Sequence, residues 1–189
     1  MSTWQAGGWL ADVRHVNSPN YGERPLPGEV SLIVVHNISL PPDDFGGDWV
    51  EQFFTNQLDA SAHPYFAEIA GLQVSAHFFV RRDGAVIQFV GCDQRAWHAG
   101  RSSWCERDNC NDYSVGIELE GSDFQAYTTV QYDALWSLVD ALRTRYPITA
   151  LAGHCHIAPA RKTDPGPFFD WVAVRQRYPA LALPPEIDG

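Results

Sequence analysis

Residues 153–167, with the sequence GHCHIAPARKTDPGP, bring together side chains that can do chemistry between glycines and prolines. Because glycine and proline disfavour a regular helix, we expect an irregular backbone here rather than a plain helix. Pro165 restrains Asp164 toward an extended conformation, in which Lys162 and Asp164 project to the same side. A base and a carboxylate are therefore expected on one surface.

A further histidine, His36, ends the apolar run VSLIVVH far upstream. This run predicts a strand over residues 30–35 that is buried on both faces, with His36 facing a cleft at the strand end. Together His36, His154 and Asp164 form a set of two histidines and one carboxylate. Such a set is typical of a catalytic zinc site that leaves its fourth position to water.

A structural zinc site is the alternative, because Cys155 stands beside His154 and structural zinc usually completes its shell with thiolates. Adjacent residues of a strand point to opposite sides, which disfavours His154 and Cys155 as joint ligands. His154 and His156 could share a side, and we rank this pair second.

A carboxylate and a cation complete the candidate set. Residues 114–119 alternate apolar side chains with small or polar ones, which predicts a strand with one core face and Glu118 on the other. Glu118 is either a solvated charge or a cleft residue, and Gly116 and Gly121 leave room for close approach beside it. Lys162 is either a surface cation or, two residues from a proposed ligand, a partner for an oxyanion.

The other histidines have weaker claims. His15 and His63 have no chemical neighbours in the sequence, and His77 in AHFFV is best interpreted as a partly buried structural residue. His98, within AWHAG, either lines the cleft or packs against it.

The elements that must position these residues are strands and helices in mixed order. We predict a fold of the α/β class, a single domain with a central mixed β-sheet flanked by helices and with the zinc site at strand ends in a cleft. Asp83 and Gly84 favour a tight hairpin turn. The predicted elements are a hairpin over residues 76–80 and 85–90, an insert over 39–75 with a short helix at DWVEQFF, and helices over 129–146 and 170–178.

Length and composition fit one folded domain. The chain has 189 residues, of which 45% are hydrophobic and 19% charged. We expect a monomeric single domain over residues 1–189, with a core over about 8–178 and an irregular tail over 179–189. The formal net charge of -10 argues against nucleic-acid partners and against adhesion to anionic membranes. A small or neutral partner is expected.

The sequence also indicates a compartment. Residues 1–16 have no basic side chain before Arg14 and no continuous apolar stretch, unlike a secretory signal peptide. No later stretch approaches a membrane span. We therefore expect a cytoplasmic protein in which all four cysteines are free thiols, at positions Cys92, Cys105, Cys110 and Cys155.

Four motifs, VVHNISLPP, AWHAG, CNDYSVGIELEG and GHCHIAPARKTDPGP, occur in this order in the chain. Over about residues 8–171 the sequence resembles the type 2 N-acetylmuramoyl-L-alanine amidases, and among them the cytosolic enzymes of peptidoglycan recycling. The resemblance implies a zinc hydrolase that cuts the amide between the lactyl group of 1,6-anhydro-N-acetylmuramic acid and L-alanine of the stem peptide. An anhydro-muropeptide is then the small-molecule partner.

Site residues follow from the same resemblance. It implies zinc ligands at His36, His154 and Asp164, a proton-handling carboxylate at Glu118 and transition-state support from Lys162. It also implies contacts to the sugar or peptide from Asn37, Trp97 and His98.

The sequence departs from the family at several positions. Relatives often carry arginines near Gln73 and Asn109, where they bind carboxylates of the stem peptide, and Arg107 or Arg101 could substitute. His156 replaces an asparagine and adds a spare ligand.

The competing hypotheses are a secreted cell-wall lysin, a peptidoglycan-recognition module without catalysis and a regulatory ligand sensor.

Overall fold

The computed structural model of the protein describes residues 3–185, and a six-stranded mixed sheet lies at its centre. In chain order its strands are β1 (Arg14–His15), β2 (Leu32–Ile38), β3 (Phe78–Val80), β4 (Val86–Gln88), β5 (Ser114–Glu120) and β6 (Ala150–Gly153). In space they follow the order β6, β2, β5, β3, β4, β1. Short two-stranded ladders elsewhere join Trp4–Gln5 to Trp9–Leu10, Tyr21–Gly22 to Arg95–Ala96, and Ser103–Trp104 to Arg107–Asp108.

The sheet is parallel at the four strands that matter for the site. Strands β6, β2, β5 and β3 run parallel, β4 is antiparallel to β3, and β1 is parallel to β4. The hairpin of β3 and β4 confirms the expected turn, in which Gly84 has a φ of +85°. The strand predicted to end at residue 35 continues to Ile38, so His36 lies within β2.

Five α-helices accompany the sheet: α1 (Trp49–Phe54), α2 (Pro64–Ile69), α3 (Thr129–Arg145), α4 (His154–Ile157) and α5 (Trp171–Arg177). The predictions of α1, α3 and α5 are confirmed, and Thr128 starts α3 in a reciprocal capping pair with Gln131. Helix α2 was missed, although Pro64 at its first position and His63 as its cap are start signals. None of the helices in the described part of the chain is long and apolar enough to span a bilayer.

Two apolar layers cover the sheet. On one face α3 packs its buried leucines against alternate strand residues, among them Leu135, Leu138, Leu142, Ile33, Val35 and Ile117. On the opposite face Phe54 of α1 and Phe66 of α2 pack in one cluster with Phe79 and Phe89 of the hairpin region. All seven residues of β5 are buried, which corrects the expectation of one core face. The reason is that β5 has neighbours on both sides and packing on both faces.

The end of the chain also departs from expectation. Leu181 and Leu183 are buried in the core that α3 covers, and Ala182 bridges to Ala150 at the edge of the sheet. The tail that was expected to be irregular therefore extends the core as far as it is described. The single-domain prediction includes residues 1–2 and 186–189, which lie outside the described residues.

Candidate metal centre

The carboxyl ends of three parallel strands meet at one edge of the sheet. The register pairs His36 of β2 directly with Glu118 of β5, and His154 is the first residue after β6. Both paired side chains lie on the face away from α3, because they alternate with Val35 and Ile117 in the core beneath that helix. Parallel α/β sheets commonly bind ligands at this edge.

Three ligand atoms form a nearly equilateral triangle there. Nδ1 of His36 lies 3.0 Å from Nδ1 of His154, and each of these nitrogens lies 3.0 Å from Oδ2 of Asp164. Both histidines are buried, and Asp164 is half-buried. Within residues 3–185, this is the group of histidine, cysteine and acidic side chains that is close enough to hold a metal ion.

The structure contradicts the alternative ligand sets. Residues His154–Ile157 form one helical turn. The expectation that His154 and Cys155 point to opposite sides assumed a strand here. Nδ1 of His156 accepts a hydrogen bond from the Gly153 amide at 2.9 Å, and its ring packs edge-on against Trp171. Neither His156 nor Cys155 belongs to the group of described side chains that lie close enough together to hold a metal ion.

The second ring nitrogen of each histidine also has a partner. Nε2 of His36 lies 3.0 Å from Nδ1 of His98, and Nε2 of His154 lies 3.1 Å from the carbonyl oxygen of Ala99. Each imidazole is thus held at both nitrogens. Two consecutive residues of the AWHAG motif provide these contacts.

The charges suit metal binding. Burial and then the nearby His154 lower the pKa of His36 to about 4, so the ring is neutral at pH 7. Burial raises the pKa of Asp164, but its close contacts with the rings of His154 and His36 outweigh this effect and hold the pKa well below its usual range. Neutral imidazole and ionised carboxylate are the protonation states that metal ligands require.

Glu118 differs from an ordinary surface carboxylate. It is 8% exposed, and its Oε2 has no hydrogen-bond partner among the described residues. Burial and then the charge of Asp164 raise its pKa well above the ordinary value, and Lys162 opposes this shift. Its strand neighbour Glu120 is also buried, where it accepts hydrogen bonds from the amides of Gly46 and Arg82. The interpretation of Glu118 as a solvated charge is wrong.

A cleft of about 550 Å³ opens over these residues. Lys162 is exposed and lines it, close enough for its charge to lower the pKa values of both His36 and Glu118. The lining also includes Asn37, Ser39, Trp97, Asp123, Phe124 and Arg161.

Among these lining residues, sequence reasoning did not single out Ser39, Asp123, Phe124 or Arg161. Asn37 donates from Nδ2 to Oδ1 of Asp123 at 2.9 Å, and the next residue, Phe124, is 76% exposed at the cleft wall. Arg161 donates to the carbonyl oxygens of Ala99 and Arg101. Arg161 directly precedes Lys162 in the motif, which was the available signal, whereas nothing in the sequence marked Asp123 or Phe124.

Two residues expected to contact the substrate have protein partners in the structure. His98 lines the cleft but is only 8% exposed, and both of its ring nitrogens contact protein atoms. Arg107 lies outside the cleft lining, where it pairs with Glu29 at 3.0 Å and stacks 4.0 Å over the ring of Tyr113.

The remaining titratable residues have structural positions. His77 is buried and accepts from the Gly116 amide, while His63 caps α2 and the ring of His15 contacts the carbonyl oxygen of Leu10. The four cysteines are all described, and they are free thiols as predicted.

Comparison with known proteins gives consistent matches. The family model described as N-acetylmuramoyl-L-alanine amidase matches residues 26–167. The 1,6-anhydro-N-acetylmuramyl-L-alanine amidase AmpD of Citrobacter freundii is 57% identical over 179 residues, which cover 94% of this chain and 94% of that protein. AmpD of Escherichia coli strain K12 is 55% identical over 170 residues, covering 89% of this chain and 93% of its own length.

Solved structures match as well. A crystal structure of a selenomethionine derivative of AmpD superposes with a TM-score of 0.87 at 55% identity, covering 92% of this chain and 98% of that one. AmiD of Escherichia coli has a TM-score of 0.61 at 25% identity, covering 95% of this chain and 66% of its own. That AmiD structure is a complex with the substrate anhydro-N-acetylmuramic acid-L-Ala-D-γ-Glu-L-Lys.

Proposed function

Because the chain belongs to the N-acetylmuramoyl-L-alanine amidase family, we propose that it hydrolyses the lactyl amide between 1,6-anhydro-N-acetylmuramic acid and L-alanine of the stem peptide. The reaction is zinc-dependent and serves peptidoglycan recycling in the cytoplasm. The observation that carries the proposal is the triangle of His36, His154 and Asp164 beside the unpaired oxygen of Glu118. All of these residues come from one chain, so a monomer suffices.

The ligand triangle fits zinc. Tetrahedral coordination at about 2.0–2.1 Å separates neighbouring ligand atoms by roughly 3.3 Å, close to the 3.0 Å edges found here. Two imidazoles and one carboxylate leave a fourth position open toward the cleft. In such a site zinc supplies a water of lowered pKa and draws electron density from the scissile carbonyl.

Glu118 handles the proton. Its unpaired Oε2 accepts a proton from the attacking water as the bond from oxygen to the lactyl carbonyl carbon forms. It returns that proton to the alanine nitrogen as the carbon–nitrogen bond breaks, which leaves a lactyl carboxylic acid and a free peptide amine. The raised pKa of the buried carboxyl favours uptake of the proton.

Lys162 acts on the same carbonyl. Its cation lies at the cleft wall near both His36 and Glu118, where it stabilises the oxyanion that forms during attack. Arg161, also in the lining, is the second cation that the cleft offers to carboxylates of the stem peptide. Asn37, Trp97 and the exposed ring of Phe124 provide polar and apolar surface for the sugar.

Soluble fragments are the preferred substrate. The chain carries a formal charge of -10, which opposes association with anionic polymeric peptidoglycan. Free thiols are also consistent with a reducing compartment. We therefore expect faster cleavage of anhydro-muropeptides than of muropeptides with an ordinary reducing end or of intact sacculi.

The test measures initial rates on these three substrates at matched amide concentration, with and without a chelator, for the wild type and Glu118→Gln. Glutamine is nearly isosteric but cannot accept the proton, so turnover should fall about 100-fold or more while zinc stays bound. Near-normal turnover of zinc-loaded Glu118→Gln would contradict its role. Binding without cleavage by the zinc-loaded wild type would favour a sensor or recognition module, and equal rates on all three substrates would favour a lysin.

A further inference from the structure

The two histidines of the triangle receive their outer contacts from one short segment. His98 and Ala99 follow each other in the chain, and they contact Nε2 of His36 and of His154 respectively. The Ala99 carbonyl can only accept, so His154 carries its proton on Nε2 and leaves Nδ1 free for a metal. The partner of His36 is another histidine, which could accept or donate.

Ser114 resolves the direction of that contact. Its hydroxyl has one proton, and Oγ lies 2.6 Å from the carbonyl oxygen of Cys110, which can only accept. Ser114 therefore donates its hydroxyl proton to the carbonyl oxygen of Cys110. Oγ must then accept from Nε2 of His98, which lies 3.1 Å away. Nε2 of His98 is thus protonated, and Nδ1 of the neutral ring is an acceptor.

We infer that His98 is a positioning residue that sets the tautomer of His36, a role that rests on the zinc site proposed above. Nδ1 of His98 accepts the Nε2 proton of His36, so Nδ1 of His36 presents its lone pair to the metal. The opposite direction would place the proton of neutral His36 on Nδ1, the atom that must bind zinc. The chain from Cys110 through Ser114 and His98 thus ends at the metal ligand.

One face of β5 supports this arrangement. Ser114 and Glu118 lie on the same side of the strand, with Gly116 between them. A Cβ atom at Gly116 would lie 2.5 Å from Cγ of His98, so the absence of a side chain makes room for the ring. Oδ1 of Asn111 accepts from the amides of His98 and Ala99 at 3.1 and 2.8 Å, which fixes the segment.

The inference predicts a graded effect on zinc affinity. Loss of an outer partner of a ligating histidine typically weakens metal binding by about 10–100-fold. His98→Phe keeps an aromatic ring and loses the acceptor, and we expect the dissociation constant for zinc to rise by that factor. In His98→Asn, Oδ1 lies close to the former Nδ1, so we expect most of the affinity to return.

Zinc affinity is measured by competition with a chromophoric chelator, and thermal unfolding of the metal-free proteins checks the fold. His15→Phe is the matched control, because His15 lies on β1, its ring contacts the Leu10 carbonyl oxygen, and it is outside the cleft lining. Its zinc affinity should equal that of the wild type. An affinity of folded His98→Phe within twofold of the wild type overturns the inference, whereas a wild type that binds no zinc overturns the proposed function itself.

A second measurement does not depend on any variant. Long-range proton–nitrogen NMR spectra of the zinc-loaded wild type should show His98 protonated on Nε2 and unprotonated on Nδ1. A proton on Nδ1 of His98 refutes the direction of the chain even if zinc binds and the amidase is active.

Discussion

Replacing Gly116 with alanine should weaken zinc binding through a ring that never touches the metal. The added Cβ would lie 2.5 Å from Cγ and 2.6 Å from Nδ1 of His98, whereas ordinary contacts begin at 3.4 Å. The ring must therefore move by about 1 Å, since β5 lies between two strands and cannot shift easily. Such a movement is enough to break the 3.0 Å contact to Nε2 of His36.

Two magnitudes follow. Overpacking of a dense interior costs about 1–3 kcal/mol, which in a chain of this size lowers the unfolding temperature by roughly 2–12 °C. Loss of the outer contact should raise the zinc dissociation constant about 10–100-fold. Thermal unfolding of the metal-free protein measures the first effect, and competition with a chelator measures the second.

Gly91→Ala separates strain from loss of the contact. At this buried glycine a Cβ would lie 2.3 Å from the Gly7 carbonyl oxygen, so the overlap is at least as severe, and Gly91 lies outside the cleft lining. Gly91→Ala should lose stability and keep its zinc affinity. If Gly116→Ala is destabilised to a similar extent but binds zinc within twofold of the wild type, the reasoning about His98 is wrong.

Two further predictions concern Lys162 and His77. Lys162→Ala should lower kcat about 100-fold with a much smaller change in KM, and Lys162→Arg should retain more activity. Steady-state kinetics measure both constants. An effect on KM alone would refute a role of Lys162 in the transition state. Burial and then Arg24 lower the pKa of His77 to about 3, so the unfolded chain takes up the proton first as the pH falls through 6.5. The free energy of unfolding should therefore decline from about pH 6.5 toward pH 3. Urea denaturation of His77→Gln should show a shallower decline over this range. If the free energy of unfolding of His77→Gln depends on pH as strongly as that of the wild type, His77 does not cause the decline.

Much of the site could be predicted because its ligands are tied to strong local patterns. His36 interrupts an apolar run near the carboxyl end of a buried strand, and in the structure it lies two residues before the end of β2. The alternation over residues 114–119 correctly placed Glu118 on the face opposite the helix-covered core. These patterns define which side of a strand a residue occupies, and they are local in sequence.

The sequence could not show what covers that side. Glu118 was expected on a solvent-facing or cleft-facing surface, but its burial depends on segments far away in the chain. The sequence also left open whether His98 lines the cleft or packs against it, and in the structure it lines the cleft while its ring contacts His36 and Ser114. Arg24 is buried and donates to backbone carbonyl oxygens at Cys92, Asn111, Asp112 and Ser114. Every residue has a backbone carbonyl oxygen, so the sequence does not show where these acceptors come together. It therefore gave no reason to single out Arg24.

The direct pairing of His36 with Glu118 across neighbouring strands has a consequence for how the centre responds to heating. Strand spacing of about 4.8 Å and the backbone ladder, rather than long flexible side chains, set the distance between the ligand and the proton carrier. Amide protons in this central ladder should exchange with solvent only when the whole domain opens. The geometry of the centre is then retained up to global unfolding, while exposed segments at the cleft wall can fluctuate without disturbing it.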